Sequence, residues 1–361
     1  MTKKWIAEAI YGIMVILFMG VSIGIGKKHT SAEEMSNEKI TGTSTGTSEV
    51  TKSPISDTVG DEETVTTDQM IVIQDKMEVV QKPELFPEGS EESKGENEAG
   101  STGDEKMIDG KMPGAIEISN ANYEQYSNEK NAWWFSRKKN HQPSGSGETF
   151  LIAPFSAAYL NQKVAENDKV IYITFDCGYE NGNTPAILDT LAEKNVKALF
   201  FVTKNFVTDN PEYVKRMKEE GHLVGNHTVR HLSSPQLSPE ELEAELSEVA
   251  KTMEELTGYR MDPYFRPPMG EYSERVLAAV QDMGYSSVLW SIAYYDYDVN
   301  NQPGKDYVVN HFEEYHHNGS VVLMHNTSES NREALGDVLD LLQREGYRFG
   351  SVTEFLGENR F

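Results

Sequence analysis

The chain of 361 residues contains a single cysteine, Cys177, so no intramolecular disulfide can staple the fold. Basic residues are scarce beside acidic ones, 33 Lys and Arg against 58 Asp and Glu, a formal net charge of −25. That balance excludes a surface built to hold a nucleic-acid backbone, which is itself anionic. Long apolar runs are also missing, with one exception. Residues Ala9 to Gly26 are almost wholly apolar, preceded by Lys3 and Lys4 and closed by Lys27 and Lys28. The run is at the short end of what spans a bilayer, and no small-x-small cleavage site follows it. Residues 1–28 are therefore expected to be an uncleaved signal-anchor, with a cleaved signal peptide as the alternative. Lysines at both ends leave its orientation open.

Residues 29–118 are rich in Ser, Thr, Gly and Glu, as in Thr41-Gly42-Thr43-Ser44 and Glu88-Gly89-Ser90-Glu91-Glu92. So little apolar surface cannot offset the entropy of ordering the backbone, and a disordered spacer is expected. The short apolar patch Met70-Ile71-Val72-Ile73 interrupts it without changing that reading. Patterned sequence resumes near Tyr123, which makes residues 119–361 the candidate catalytic domain. Its first feature is an aromatic and basic cluster, Trp133-Trp134-Phe135-Ser136-Arg137 followed by Asn140-His141-Gln142-Pro143. The cluster reads either as a cap on the domain or as a cleft wall. In the second case Trp134, Arg137 and His141 would face a sugar that carries a carboxylate.

From there strands and helices alternate. Strands are expected at 170–176, 198–203, 222–226, 264–266, 287–292, 320–325 and 347–351. Asn210-Pro211 and Ser238-Pro239-Glu240-Glu241 open helices, the second with a capping box. Leu242, Leu246, Val249, Met253 and Leu256 form one apolar helical face. Gly221, Gly284 and Gly346 stand where helices should stop. Repeated β-α units imply an α/β fold with a parallel, covered sheet. Seven strands favour an incomplete (β/α)7 barrel over a doubly wound open sheet.

The apolar run Val170 to Phe175 ends in Asp176-Cys177-Gly178. An unpaired carboxylate at a buried strand end is costly, so Asp176 has a partner or a chemical task. His227 and His231, four apart, would share one face of a helix, a spacing that suits one metal ion. Arg266 precedes two prolines that stiffen and aim its loop, and His325 ends the sixth expected strand. All five stand at or just after expected strand ends, where barrels of this class carry their sites.

Thr174-Phe175-Asp176-Cys177-Gly178, His227-Thr228-Val229-Arg230-His231, Arg266-Pro267-Pro268-Met269-Gly270, Asp296-Tyr297 and Leu323-Met324-His325 occur in one order along the chain. Together they resemble the five motifs of the polysaccharide deacetylases, the NodB-homology group of carbohydrate esterase family 4. The resemblance implies an incomplete barrel of the NodB type and a hydrolase acting on N-acetyl groups. It implies Asp176 as catalytic base held by Arg266, and His325 as general acid oriented by Asp296. It implies a divalent metal ion, with zinc expected, on His227, His231 and the position of Cys177. There the family carries aspartate, so Cys177 reads as a thiolate ligand, as a small buried filler, or as a sign that the metal is lost. Tyr297 departs from the family's tryptophan.

Tyr179-Glu180-Asn181-Gly182, the segment Trp134 to Pro143 and Asn300-Asn301-Gln302 narrow the resemblance to the enzymes that de-N-acetylate muramic residues on the way to the delta-lactam of spore-cortex peptidoglycan. Tyr179 would then line the site and offer its backbone N–H to the oxyanion. Glycan strands lacking stem peptides would be the substrate, with Arg137, Lys138 and Lys139 compensating the lactyl carboxylate. The domain would stand outside the cell membrane, anchored or secreted. Deacetylation of N-acetylglucosamine or chitin-like oligomers, and an inactive glycan-binding module, are the competing readings.

Overall fold

The structure is a computed structural model and describes residues 110–112, 122–165 and 167–357. The apolar run within residues 1–28 lies outside them. Among the described residues no helix is long and apolar enough to cross a membrane.

In chain order the domain opens with short strands β1 (Asn131–Ala132), β2 (Phe135–Ser136), β3 (Gly145–Ser146) and β4 (Ala157–Ala158). The alternating region follows: β5 (Val170–Cys177), α1 (Thr184–Glu193), β6 (Leu199–Val202), α2 (Lys204–Asp209), α3 (Pro211–Glu219), β7 (Leu223–Asn226) and α4 (Pro239–Thr257). Then come β8 (Tyr264–Phe265), β9 (Glu271–Tyr272), α5 (Glu274–Asp282), β10 (Ser286–Val288), α6 (Lys305–Tyr315), β11 (Ser320–His325), α7 (Glu329–Arg344), β12 (Arg348–Phe349) and α8 (Thr353–Leu356).

The main sheet runs β11-β5-β6-β7-β8-β10-β4, and each neighbouring pair is parallel. Two isolated bridges, Leu160 to Ser320 and Ile292 to Val322, tie the ends of this order to each other. An open doubly wound sheet would leave those ends apart, so the sheet is a curled, incompletely closed barrel. The expected seventh strand is corrected. Residues 348–349 pair only with the start of β5, beside a strand already flanked on both sides. The place beyond β10 is taken by β4, two alanines that carry no strand signal of their own. The fifth expected strand is also shorter than read, ending at Val288.

β5 is buried along its whole length, and its side chains divide between two environments. Val170 and Tyr172 pack inside the curl with Leu199, Phe201, Tyr264, Val288 and Val321. Ile171, Ile173, Phe175 and Cys177 pack outward against the helix layer. This period-2 division decides which side chains can reach an interior site.

The helix signals act as their chemistry dictates. Ser238 and Glu241 form a reciprocal capping box. Gly221, Gly284 and Gly346 adopt left-handed backbone just past helix ends. The apolar stripe of α4 is buried at Leu242, Leu246, Val249 and Met253, but Leu256 is exposed because the buried face continues four residues on from Met253, at Thr257. Met112, inside the segment read as spacer, is buried in the main core, and Lys111 pairs with Glu243 on α4. Packing at this point therefore begins earlier than composition indicates.

Candidate active site

Asp176, Pro267, Met269, Gly270, Trp290, Leu323 and His325 line a cleft at the C-terminal ends of the parallel strands. Parallel β11 sets His325 directly beside Asp176, so register alone brings acid and imidazole to one level. Asp176 points into the curl because it shares the face of Val170, Tyr172 and Thr174.

Arg266 is fully buried, and each of its three guanidinium nitrogens has a hydrogen-bond partner. Nη1 donates to Asp176 Oδ1 at 2.7 Å, Nη2 to Thr174 Oγ1 at 2.8 Å and Nε to the Val288 carbonyl at 2.9 Å. It also lies over the Phe201 ring at 4.3 Å. Burial by itself raises the pKa of the Asp176 carboxyl. The Arg266 cation, then His227 and His325, outweigh that and hold it below the usual carboxylate range. Arg266 stays charged because a guanidinium does not titrate in the working range. The result is an oriented carboxylate that can accept a proton from water.

The His227 to His231 segment is a turn, not a helix, and Thr228 and His231 have positive φ of 68° and 53°. The helical placement of the two imidazoles is thus corrected. Left-handed backbone brings the rings together instead, with centroids 4.8 Å apart. Asn226 Oδ1 accepts from Thr228 N, and the buried Glu245 accepts from Val229 N, Arg230 N and Arg230 Nε. These two residues build the turn, and sequence reading missed both. The signal for Glu245 was an acid inside the buried stripe of α4. His227 Nδ1 donates to the Arg266 carbonyl at 2.9 Å, which turns Nε2 towards Asp176 Oδ2 at 3.6 Å. Burial lowers the His227 pKa despite the neighbouring carboxylate, so the ring is neutral and able to act as a donor.

Cys177 sits outside this group. Its side chain is fully buried on the helix-facing side with Phe175 and Ile173, and burial raises its thiol pKa well above the ordinary value. A protonated thiol on the opposite face of β5 is not a thiolate ligand, because strand alternation directs it away from Asp176. Among the described residues, no three His, Cys, Asp or Glu side chains converge as a metal-holding set. The two imidazoles fit a metal as donors; the expected third protein donor does not join them.

On the other wall, His325 Nδ1 donates to Asp296 Oδ1 at 2.7 Å, and His325 N donates to Asp296 Oδ2 at 2.8 Å. This leaves Nε2 as the ring's cleft-side nitrogen. Tyr297 meets the His325 ring edge-on at 5.9 Å, and the Tyr295 ring lies tilted against Tyr297 at 4.6 Å. Gln302 ties the loop down by donating to the Asp296 and Asp298 carbonyls and accepting from Ser328 Oγ and Ser330 N.

The expected substrate contacts fare differently. Tyr179 stands exposed at the rim while its carbonyl accepts from Asn326. Glu180, Asn181 and Asn183 brace their own loop: Glu180 accepts from Gly182 N and Thr184 N, and both asparagines donate to the Thr327 carbonyl. Trp134, Arg137 and His141 do not line the cleft, which corrects the cleft-wall reading. Arg137 donates to the Ala293 carbonyl and lies over Tyr315. His141 stacks on His316 at 4.0 Å, and Lys139 pairs with Glu314. It is Trp133 that reaches the site's supporting layer, through a hydrogen bond from Nε1 to the Trp290 carbonyl.

With this geometry in hand, the comparisons with known proteins decide the family. A peptidoglycan-N-acetylmuramic acid deacetylase of Bacillus subtilis, PdaA, is 40% identical over 240 residues, 66% of this chain and 90% of that protein. The chain belongs to the polysaccharide deacetylase family. The family profile of that description matches residues 163–288. The solved structure of PdaA, a family 4 carbohydrate esterase, superposes with a TM-score of 0.61 at 41% identity, covering 64% of this chain and 98% of that one. A family 4 carbohydrate esterase from Bacillus anthracis gives a TM-score of 0.53 at 36% identity, over 65% and 99% of the two chains. A peptidoglycan-N-acetylglucosamine deacetylase of Bacillus cereus is 36% identical over 202 residues, 55% of this chain and 93% of that protein. This polysaccharide deacetylase is accordingly a hydrolase that acts on N-acetyl groups.

Proposed function

We propose that this deacetylase removes the acetyl group from N-acetylmuramic acid residues of peptidoglycan, outside the cell membrane. The observation that carries the reading is the pair of hydrogen-bonded dyads, Asp176–Arg266 and His325–Asp296, on one cleft of a chain 40% identical to a muramic acid deacetylase. Asp176 accepts a proton from water, and the oxygen adds to the acetyl carbonyl. Collapse of the tetrahedral intermediate breaks the C–N bond as His325 Nε2 delivers a proton to the leaving amine. Acetate and a free amine result. In a muramic sugar that amine can then close on the lactyl carboxyl with loss of water, giving the delta-lactam.

A divalent cation, zinc by the character of its imidazole donors, would be held by His227 and His231. When bound, it would polarise the water and the acetyl oxygen. Cys177 takes no part in this reading and serves as a small buried filler. The inactive-module reading is disfavoured because both dyads are complete. Of the three cations expected to favour peptide-free strands, Arg137 donates to a backbone carbonyl and Lys139 pairs with Glu314 at the surface, which weakens that expectation without removing Lys138 from it.

The test is acetate release by the purified protein from amidase-treated strands, untreated peptidoglycan and chito-oligomers, with mass analysis of which sugar loses acetyl. Loss from muramic residues is expected. Loss confined to glucosamine would instead favour the activity named for the Bacillus cereus relative.

A further inference from the structure

The His325–Asp296 dyad does not end at the aspartate. Asn331, fully buried in the first turn of α7, donates from Nδ2 to Asp296 Oδ2 at 2.6 Å and to the His325 carbonyl at 3.1 Å. Its Oδ1 accepts from the buried Tyr294 hydroxyl at 2.8 Å. The Asp296 carboxylate and the His325 carbonyl can only accept, which leaves the amide one orientation, with its N–H groups towards them and Oδ1 towards the Tyr294 hydroxyl. Asp296 Oδ2 is thereby occupied by Asn331 and by the His325 backbone, and Oδ1 is the oxygen left for the His325 ring. The helix start does not need the Asn331 side chain, because the capping bond runs from Asn331 backbone N to Ser328 Oγ.

We infer that Asn331 and Tyr294 are positioning residues for the general acid: they aim the Asp296 carboxylate so that His325 presents Nε2 to the leaving amine. This rests on the reading of His325 as that acid. The argument is one of geometry inside a dry layer. Without Asn331 the Oδ2 oxygen keeps only the His325 backbone N–H, so the carboxylate is anchored by His325 alone and no longer fixes the direction of that ring independently of it. Small errors in aim are costly where a proton must be delivered at hydrogen-bond range. The asparagine also separates its function from mere filling, since an isosteric Asp would set two carboxylates 2.6 Å apart.

The experiment is a double-mutant cycle on the full chain with a peptidoglycan substrate. Asn331→Ala should lower kcat about tenfold to a hundredfold, the worth of one hydrogen bond to a charged group, with KM unchanged. In an Asp296→Asn background the same replacement should cost almost nothing, because its effect runs through that carboxylate. Tyr294→Phe, which removes one oxygen from a residue that stays packed, should lose activity in the same sense but less. It decides the matter if Asn331→Ala fails to fold. A full-rate Asn331→Ala, equal losses from it in both backgrounds, or, where it does not fold, a full-rate Tyr294→Phe would overturn the inference. Should Asp296→Asn and His325→Ala themselves keep full rate, the acid assignment fails instead, so the two failures are distinguishable.

Discussion

Replacing Arg266 by methionine should damage this protein twice, through stability and through the base. The side chain is fully buried, and its guanidinium makes three hydrogen bonds, to Asp176, Thr174 and the Val288 carbonyl. Methionine fills much of the volume but leaves the Asp176 carboxylate buried without its cation. Breaking a buried pair from one side costs about 3–5 kcal/mol, which for a domain of this size is a fall of roughly 6–20 °C in Tm. The carboxyl pKa should rise at the same time, since burial pushes it up and Arg266 is the first of the charges that hold it down. The acid limb of the rate profile should therefore move to higher pH, with the base protonated and idle over a wider range. Urea denaturation of Arg266→Met, Asp176→Asn and the double variant measures the first effect, and the pH–rate profile of Arg266→Met against the unaltered protein measures the second. In the double variant no charge remains uncompensated, so its loss of stability should fall short of the sum of the singles by about 2 kcal/mol. Additive losses, or an unmoved acid limb in Arg266→Met, would refute the reasoning.

Three further outcomes follow from other parts of the structure. Burial lowers the pKa of His222 and His317 to about 4 and of His311 to about 3. These rings stay neutral in the folded state while the unfolded chain takes up protons near pH 6.5. Stability should accordingly fall as pH drops from about 6.5 towards 4, by roughly 2 kcal/mol per histidine at pH 5, and a flat urea midpoint across that range would contradict it. Gly225→Ala should lower Tm measurably by calorimetry, because a Cβ there would lie 2.7 Å from the Tyr264 carbonyl oxygen and 2.9 Å from the Phe201 ring; an unchanged Tm would mean that the strands yield easily. Met112→Asp should destabilise the domain by about 2–4 kcal/mol in the same assay, since its side chain is in the main core, and no change would return residue 112 to the spacer.

Much of the architecture was legible because local chemistry and tertiary need agree. The apolar run of β5, the Ser238–Glu241 capping box and the glycines after helices each carry their own signal, and each does in the fold what that signal implies. Spacing and order also placed Asp176, Arg266, Asp296 and His325 at the ends of parallel strands or in the loops beyond them. What remained illegible was set by partners distant in sequence. β4 is a strand only because β10 is beside it. Arg137 looked like a ligand for a sugar carboxylate until the Ala293 carbonyl and Tyr315 claimed it. The same holds for Asn331, an ordinary helix residue in sequence, which only long-range packing sets between Tyr294 and Asp296. Cys177 shows the division most plainly. Sequence put a thiol next to a catalytic acid, where three roles were open. The pleat of a strand buried on both faces sends adjacent side chains to opposite sides, so Asp176 faces the cleft and Cys177 the helices.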